Sequence, residues 1–276
     1  MESLRQVWSI EKVPDHEAIW RLGEPELAGL APSCIRLAIW NLCKGAGGRM
    51  FDHDYRMLCY ESDLILTQEA LLSKHALRMY CGTGFETIHA ASYKRRDGLR
   101  DGVMTVARAP ASGVPLRVIC KYPEPIFKTP KAALIKSYPL VGSDQTLLVI
   151  NIHATLMRRK AAAVEEMEHL LAHLPEHLGP IVLAGDFNTF TPGYLKAVAQ
   201  VLQRIGLSYV PIPNDPRPKT QALDQLFCRG LEVTKVRVDT NFRNSDHFPI
   251  LAELRLLTSS SSSSDNVIHS SSRVSS

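Results

Sequence analysis

The 276-residue chain has few of the features that announce a specialised architecture. Six cysteines, at 34, 43, 59, 81, 120 and 228, form no CxxC pair and lack the close spacing of a zinc site or a dense disulfide framework. They read as buried thiols of a reducing compartment. No uncharged apolar run of 18 residues occurs, and the N-terminus lacks a basic stretch leading into an apolar segment, so a membrane span and a standard secretory signal are both unexpected. Lys and Arg number 32 against 28 Asp and Glu; a net charge of +4 is too small to imply polyanion binding by itself. Aromatic residues make up 7%, which leaves few surfaces for base stacking, and no repeat of about 20 to 50 residues is visible. A cytoplasmic monomer is the expectation.

Apolar residues, at 45%, are sufficient for a large core. Residues 1–34, with Pro14, Pro25 and Pro32 among scattered Trp8, Ile19, Trp20 and Leu22, read as an extension that packs on a domain. The domain itself is placed at 35–257. The segment 258–276 holds 11 serines in 19 residues and is expected to be a disordered tail.

Short β-like runs recur at Ile35 to Trp40, Leu64 to Thr67, Gly102 to Ala107, Leu147 to Ile152, Ile181 to Ala184, Gln225 to Cys228, Leu231 to Val238 and Ile250 to Arg255. A helix is expected from Ala161, where Val164, Met167, Leu171 and Leu174 share one face, and another from Tyr194 to Ile205, after Pro192 and closed by Gly206. Strands outnumber helices, a pattern that fits central sheets with helices outside.

Polar groups that bind metals or move protons collect at the ends of these runs. They are Asn41, Gln68 and Glu69, Asn151 and His153, Asp186 and Asn188, Asp224, and Asp246 with His247. Alternate strand residues share a face, so Asn151 points with His153, and Asp186 pairs with Asn188 behind Gly185. Taken singly, an Asn or Asp at a strand end is a turn former or helix cap, and a lone His a hydrogen-bonded structural imidazole. Six such strand ends in one chain favour convergence on a single rim.

In order, Trp40-Asn41, Gln68-Glu69, Asn151-Ile152-His153, Gly185-Asp186-Phe187-Asn188, Leu223-Asp224 and Ser245-Asp246-His247-Phe248-Pro249 resemble the motif set of the endonuclease/exonuclease/phosphatase superfamily. The resemblance spans about residues 35 to 256, and Asn41-Leu42-Cys43-Lys44 and Gly102-Val103-Met104-Thr105 are similar to its YafD-like bacterial branch. It implies a four-layer α/β sandwich of the DNase I-like type, with two central mixed or antiparallel sheets flanked by helices. It also implies a divalent-metal-dependent hydrolase of phosphodiester bonds.

Hard oxygen ligands suit Mg²⁺ or Mn²⁺. Glu69 is the expected ligand, with Asp246 as second carboxylate and Asn41 in support. His247 is the expected general base, because an imidazole titrating near neutrality suits proton transfer. The family pattern makes Asp224 its orienting carboxylate, gives Asp186 and Asn188 to positioning water and phosphate, and gives His153 to hydrogen-bond or proton donation on the opposite side. Many abasic-site endonucleases of the superfamily carry Asp two residues after the motif Asn; here that residue is Cys43, read as a packed thiol, so a second metal contact and a DNA-repair specificity do not carry over.

From Tyr93 to Lys131 nine Lys or Arg face three carboxylates, and Arg158, Arg159 and Lys160 open the helix after His153, where cations oppose the helix dipole. Arg96, Arg158, Arg159, Lys160 and Asn151 are therefore candidate phosphate contacts. Nucleic acid is the preferred substrate; an anionic phospholipid, a phosphoinositide or a phosphorylated small molecule is the alternative. A catalytically silent scaffold is disfavoured because all the motif residues are present.

Overall fold

A computed structural model describes residues 10–45, 48–80, 84–157, 159–218 and 222–257. The serine-rich segment 258–276, Arg158 and Cys81 lie outside the described residues.

The strands are β1 (Ile10–Glu11), β2 (Ile19–Leu22), β3 (Ile35–Asn41), β4 (Leu64–Leu72), β5 (Glu86–Arg95), β6 (Arg100–Ala107), β7 (Ser112–Ile119), β8 (Ala132–Pro139), β9 (Thr146–His153), β10 (Ile181–Asp186), β11 (Ser208–Tyr209), β12 (Asp224–Arg229), β13 (Leu231–Val238) and β14 (Ile250–Leu256). Eight form one sheet in the order β1-β5-β6-β4-β3-β14-β13, with β2 also on β5; six form the other in the order β11-β12-β10-β9-β8-β7. Both sheets are mixed, because β3 runs parallel to β4 and β9 to β10 while their neighbours are antiparallel.

The central strands are buried on both faces, which is why they read as apolar runs rather than clean alternations. In β3, Leu37 and Ile39 face the second sheet, where they meet Leu147, Val149, Val182 and Leu226. The intervening Ala38 and Trp40 face outward onto Phe51, Tyr55 and Leu58 of helix Gly48–Glu61. On the far side, Leu148, Ile150, Ile152 and Leu183 pack under helices Lys160–Leu171 and Pro192–Leu202 through Met167, Leu170, Val198 and Val201. Four layers result: helices, sheet, sheet, helices. N-terminal to β3, β1 and β2 extend the first sheet along β5, and Leu30 is buried in the inter-sheet core.

Register decides where the polar residues end up. Asn41, the last residue of β3, pairs with Gln68 midway along β4, where the parallel ladder stops, and Asp186 pairs with His153 on one side and Asp224 on the other. Both sheets therefore deliver polar side chains to the same edge of the sandwich. Gly185 allows this convergence: at φ 139°, a Cβ there would lie 1.9 Å from the Ile152 carbonyl oxygen, so no side chain fits.

Candidate active site

His247 enters on the turn before β14, and its backbone is tied down first. Its N–H is 3.2 Å from Ser245 Oγ, its carbonyl accepts from Trp40 Nε1 at 2.9 Å, and Ser245 Oγ donates to the Asn41 carbonyl at 2.7 Å. The ring lies between two carboxylates, with Nδ1 at 2.9 Å from Asp224 Oδ2 and Nε2 at 4.0 Å from Asp186 Oδ2. Asp224 itself is buried. Burial disfavours the imidazolium, but the bond to Asp224 and the charges of Asp224, Asp186 and Asp246 outweigh it and push His247 up to about 9. The imidazole expected from sequence to titrate near neutrality is shifted toward its charged form by these carboxylates.

Asp186 is held at both oxygens. Oδ1 accepts from the Asn188 N–H at 2.9 Å and Oδ2 from Asn41 Nδ2 at 3.1 Å. Burial and the nearby Asp224 push its carboxyl up to about 6, against the pull of His247 and these hydrogen bonds. Asn188, in the left-handed region at φ 51°, turns its side chain back onto the Ala154 carbonyl at 2.8 Å. His153 Nε2 lies 3.5 Å from Asp186 Oδ2. Burial, then Lys131, His247 and Lys44, push it well below the usual histidine range, so it is neutral.

Glu69 stands across from this group on an irregularity in β4 between Thr67 and Ala70, itself at φ 49°. The bulge turns Glu69 out of the ladder, a common device where a strand must aim a side chain. Lys44 Nζ is 2.5 Å from Oε2 and Lys131 Nζ is 3.6 Å from Oε1. Burial opposes ionisation of Glu69, but Lys131 and Lys44 hold its carboxyl below the usual range. Asp246 is exposed and touches the Cys43 thiol, which burial and Asp246 push up, as suits a packed thiol rather than a nucleophile.

Asn151 departs from expectation. Fully buried, it donates to the Thr67 and Met104 carbonyls at 3.1 and 2.9 Å and accepts from Gln68 Nε2 at 2.7 Å. Its amide joins the two sheets and is not presented to a phosphate. Arg159 and Lys160 are exposed at the start of helix Lys160–Leu171. Arg96 is exposed at the tip of the β5–β6 hairpin, where Lys94 meets Glu11 at 3.1 Å and Arg95 meets Asp97 at 2.7 Å.

Several residues of the site had no motif to mark them. Arg217, 4% exposed at its side chain, chelates Asp215 through Nε and Nη2 at 3.0 and 2.8 Å and reaches Asp224 Oδ2 at 3.4 Å. Lys131, shared between Glu69 and Glu124, and Asp101, which accepts from Tyr93 Oη at 3.3 Å, complete the buried charges. A Lys immediately before β8 and an Asp before Gly102 were the available signals.

A hard divalent cation fits the donor chemistry beside Glu69: an ionised carboxylate, the Asp246 carboxylate, and the Asn41 amide oxygen, which accepts from the Cys43 N–H at 3.0 Å and keeps a second lone pair. Among the described residues, the group of three His, Cys, Asp or Glu whose ligand atoms all lie within 4.8 Å is Asp186, Asp224 and His247. An ion there would have to break the Asp224–His247 bond.

Two mixed sheets between helices, with a His–Asp pair and an acidic partner at one edge, define a DNase I-like phosphoesterase fold. A family model described as the Endonuclease/Exonuclease/phosphatase family matches residues 39–247, and the chain belongs to that family. A UPF0294 protein of Vibrio vulnificus (strain YJ016) is 32% identical over 231 residues, 81% of this chain and 78% of the relative. The relatives are thus bacterial proteins of the YafD-like branch, as the sequence implied. The crystal structure of an endonuclease/exonuclease/phosphatase from Beutenbergia cavernae DSM 12333 superposes with a TM-score of 0.63 at 15% identity, covering 81% of this chain and 72% of that one. The same fold recurs in the endonuclease domain of TRAS1, a telomere-specific non-LTR retrotransposon (TM-score 0.54, 13% identity, 82% and 100% covered). It recurs also in the Bacteroides thetaiotaomicron mannosyl-6-phosphatase Bt3783 (0.57, 18%, 80% and 99%).

Proposed function

We propose that the protein is a divalent-metal-dependent phosphoesterase that hydrolyses phosphodiester bonds, with nucleic acid as its substrate. The observation that carries the chemistry is His247 gripped between Asp224 and Asp186, opposite Glu69 and beside neutral His153. Asp224 on Nδ1 leaves Nε2 to face the reacting phosphate. At pH 7 the ring is an imidazolium, so it offers charge and a hydrogen bond to a phosphoryl oxygen; to act as a base it must first release that proton. Asp186 and Asn188 position the attacking water, and neutral His153 donates to phosphoryl or leaving oxygen. Mg²⁺ or Mn²⁺ on Glu69, with Asp246 and Asn41 near it, would supply charge neutralisation at the phosphate.

Exposed Arg159 and Lys160, a few residues beyond His153, favour a polyanionic backbone. Exposed Ile126 and Phe127, between the exposed Lys121 and Lys128, favour the second reading, an anionic lipid headgroup. The family's fold serves both a retrotransposon endonuclease and a sugar phosphatase, so substrate has to be read from such surfaces. The test is a panel of single- and double-stranded DNA, RNA, sphingomyelin, phosphoinositides and a generic phosphodiester with Mg²⁺ or Mn²⁺. We expect turnover of nucleic acid, lost in His247→Ala, with ion binding weakened in Glu69→Gln by calorimetry. Turnover of lipid alone would replace the nucleic-acid reading, and equal ion affinity in Glu69→Gln would remove Glu69 as a ligand.

A further inference from the structure

Both carboxylate oxygens of Glu69 are met by ammonium groups, and the two lysines differ in kind. Lys131 has 8% of its side chain exposed and bridges Glu69 at 3.6 Å to Glu124 at 3.0 Å; Glu124 in turn accepts from Thr129 Oγ1 at 2.6 Å. It is a fixed strut. Lys44 has 38% of its side chain exposed, and its contact with Glu69 Oε2 is its one side-chain hydrogen bond among the described residues. It stands at φ 60°, between Cys43 at 45° and Gly45 at 70°. Three successive left-handed residues turn the chain sharply at the end of β3, a sparsely populated backbone for a side-chain-bearing residue, and that turn lays Lys44 over Glu69. The loop thus offers a thiol at Cys43 and an ammonium at Lys44 beside the carboxylate that is to hold a divalent cation.

We propose that Lys44 is a tethered counter-ion of Glu69. While the site is free of substrate its ammonium holds the ion's place; an arriving phosphate draws it away, so that divalent ion and phosphate enter as a linked pair. The proposal rests on the reading of Glu69 as an ion ligand. Its physics is Coulombic: an ammonium within a few ångströms repels a divalent cation, and a phosphate dianion or diester attracts both. A coupling of this kind is reciprocal, so phosphate must tighten the ion as much as the ion tightens phosphate.

Calorimetric titration of Mn²⁺ into the full chain, with free Mn²⁺ counted by its electron paramagnetic resonance, tests this without turnover. Wild type, Lys44→Met, Lys44→Gln and Lys44→Arg are compared with and without inorganic phosphate. Lys44→Met and Lys44→Gln are expected to bind Mn²⁺ alone about tenfold or more tightly than wild type. Lys44→Arg should behave as wild type, and phosphate should tighten Mn²⁺ more in wild type than in Lys44→Met. Ion affinity that is equal or lower in both neutral variants, or a phosphate effect of the same size in wild type and Lys44→Met, overturns the tethered counter-ion and leaves Glu69 as a ligand. Absence of Mn²⁺ binding in wild type and variants alike overturns both.

Discussion

Replacing Asp224 by Asn would change the acid–base behaviour of the site and, separately, the pH dependence of stability. The step of His247 from an ordinary 6.5 to about 9 corresponds to about 3 kcal/mol in favour of the imidazolium, since each pH unit is worth about 1.4 kcal/mol. Asp224 provides the largest raising contribution, through its bond and its charge, ahead of Asp186 and Asp246. Because the folded value is raised, the stabilisation is fully present below about 6.5 and is lost as pH climbs through about 9. Asp186 and Asp101, both pushed up to about 6, chiefly by burial, act in the same direction but in a lower window: stability is lost as pH rises from about 4 to 6, before the His247 step begins. Chemical denaturation of wild type and Asp224→Asn at pH 6 and pH 10, referenced to each other, isolates the pair. Wild type should lose about 2 to 3 kcal/mol more than the variant between the two pH values. Histidine proton–nitrogen correlation spectra should show His247 titrating at least about one pH unit lower in Asp224→Asn. Equal losses of stability, or an unmoved His247, would refute the claim that Asp224 holds the ring charged.

Gly185→Ala is expected to lose at least about 3 kcal/mol and much of its soluble yield, because its Cβ would meet the Ile152 carbonyl oxygen at 1.9 Å; a melting temperature near wild type would refute the contact. Asn151→Ala should destabilise by about 2 to 4 kcal/mol, from a cavity and three abandoned hydrogen bonds, while KM for any substrate that is turned over stays near wild type; a selective rise in KM would return Asn151 to the phosphate. Arg217→Met leaves Asp215 and Asp224 without their shared cation and should cost about 3 kcal/mol, with Arg217→Lys recovering part of it in denaturant titrations.

Much of this was legible because the site lies at the ends of strands that are themselves legible. Ile181 to Ala184 is a continuous apolar run and Ile35 to Trp40 is one broken only by Arg36, so Asn41 and Asp186 could be placed near their ends, and the register then brought His153 and Asp224 alongside. β5, Glu-Thr-Ile-His-Ala-Ala-Ser-Tyr-Lys-Arg, is buried through most of its length yet reads as neither alternating nor apolar, since small and polar residues fill its tight inter-sheet places. β7 is a half-exposed edge strand with Gly113 and Pro115, and its signal is weak for the reason that edges are. Helix Gly48–Glu61 buries Phe51, Tyr55 and Leu58 at helical spacing, but Asp52, His53 and Asp54 interrupt the pattern. The ion pairs resisted prediction for another reason. Lys44 to Glu69 and Lys131 to Glu69 are long-stemmed contacts settled by tertiary geometry, and each looks like an ordinary surface charge in sequence; Arg217 to Asp215 is local, two residues apart, but nothing in the sequence shows that the guanidinium is buried and reaches Asp224.

The reactive edge is assembled from two separate sheets: Asn41 and Glu69, with His247 on the turn before β14, come with the first, and His153, Asp186 and Asp224 come with the second. What ties the halves together near the chemistry is polar, Asn41 to Asp186 and Gln68 to Asn151, while the apolar core between the sheets holds them together without directional bonds at the edge. A small sideways shift of one sheet would misalign His247 against Asp186 at once. These amides act as dowel pins, and the alignment of the active edge is set by their tolerance rather than by the strength of the core.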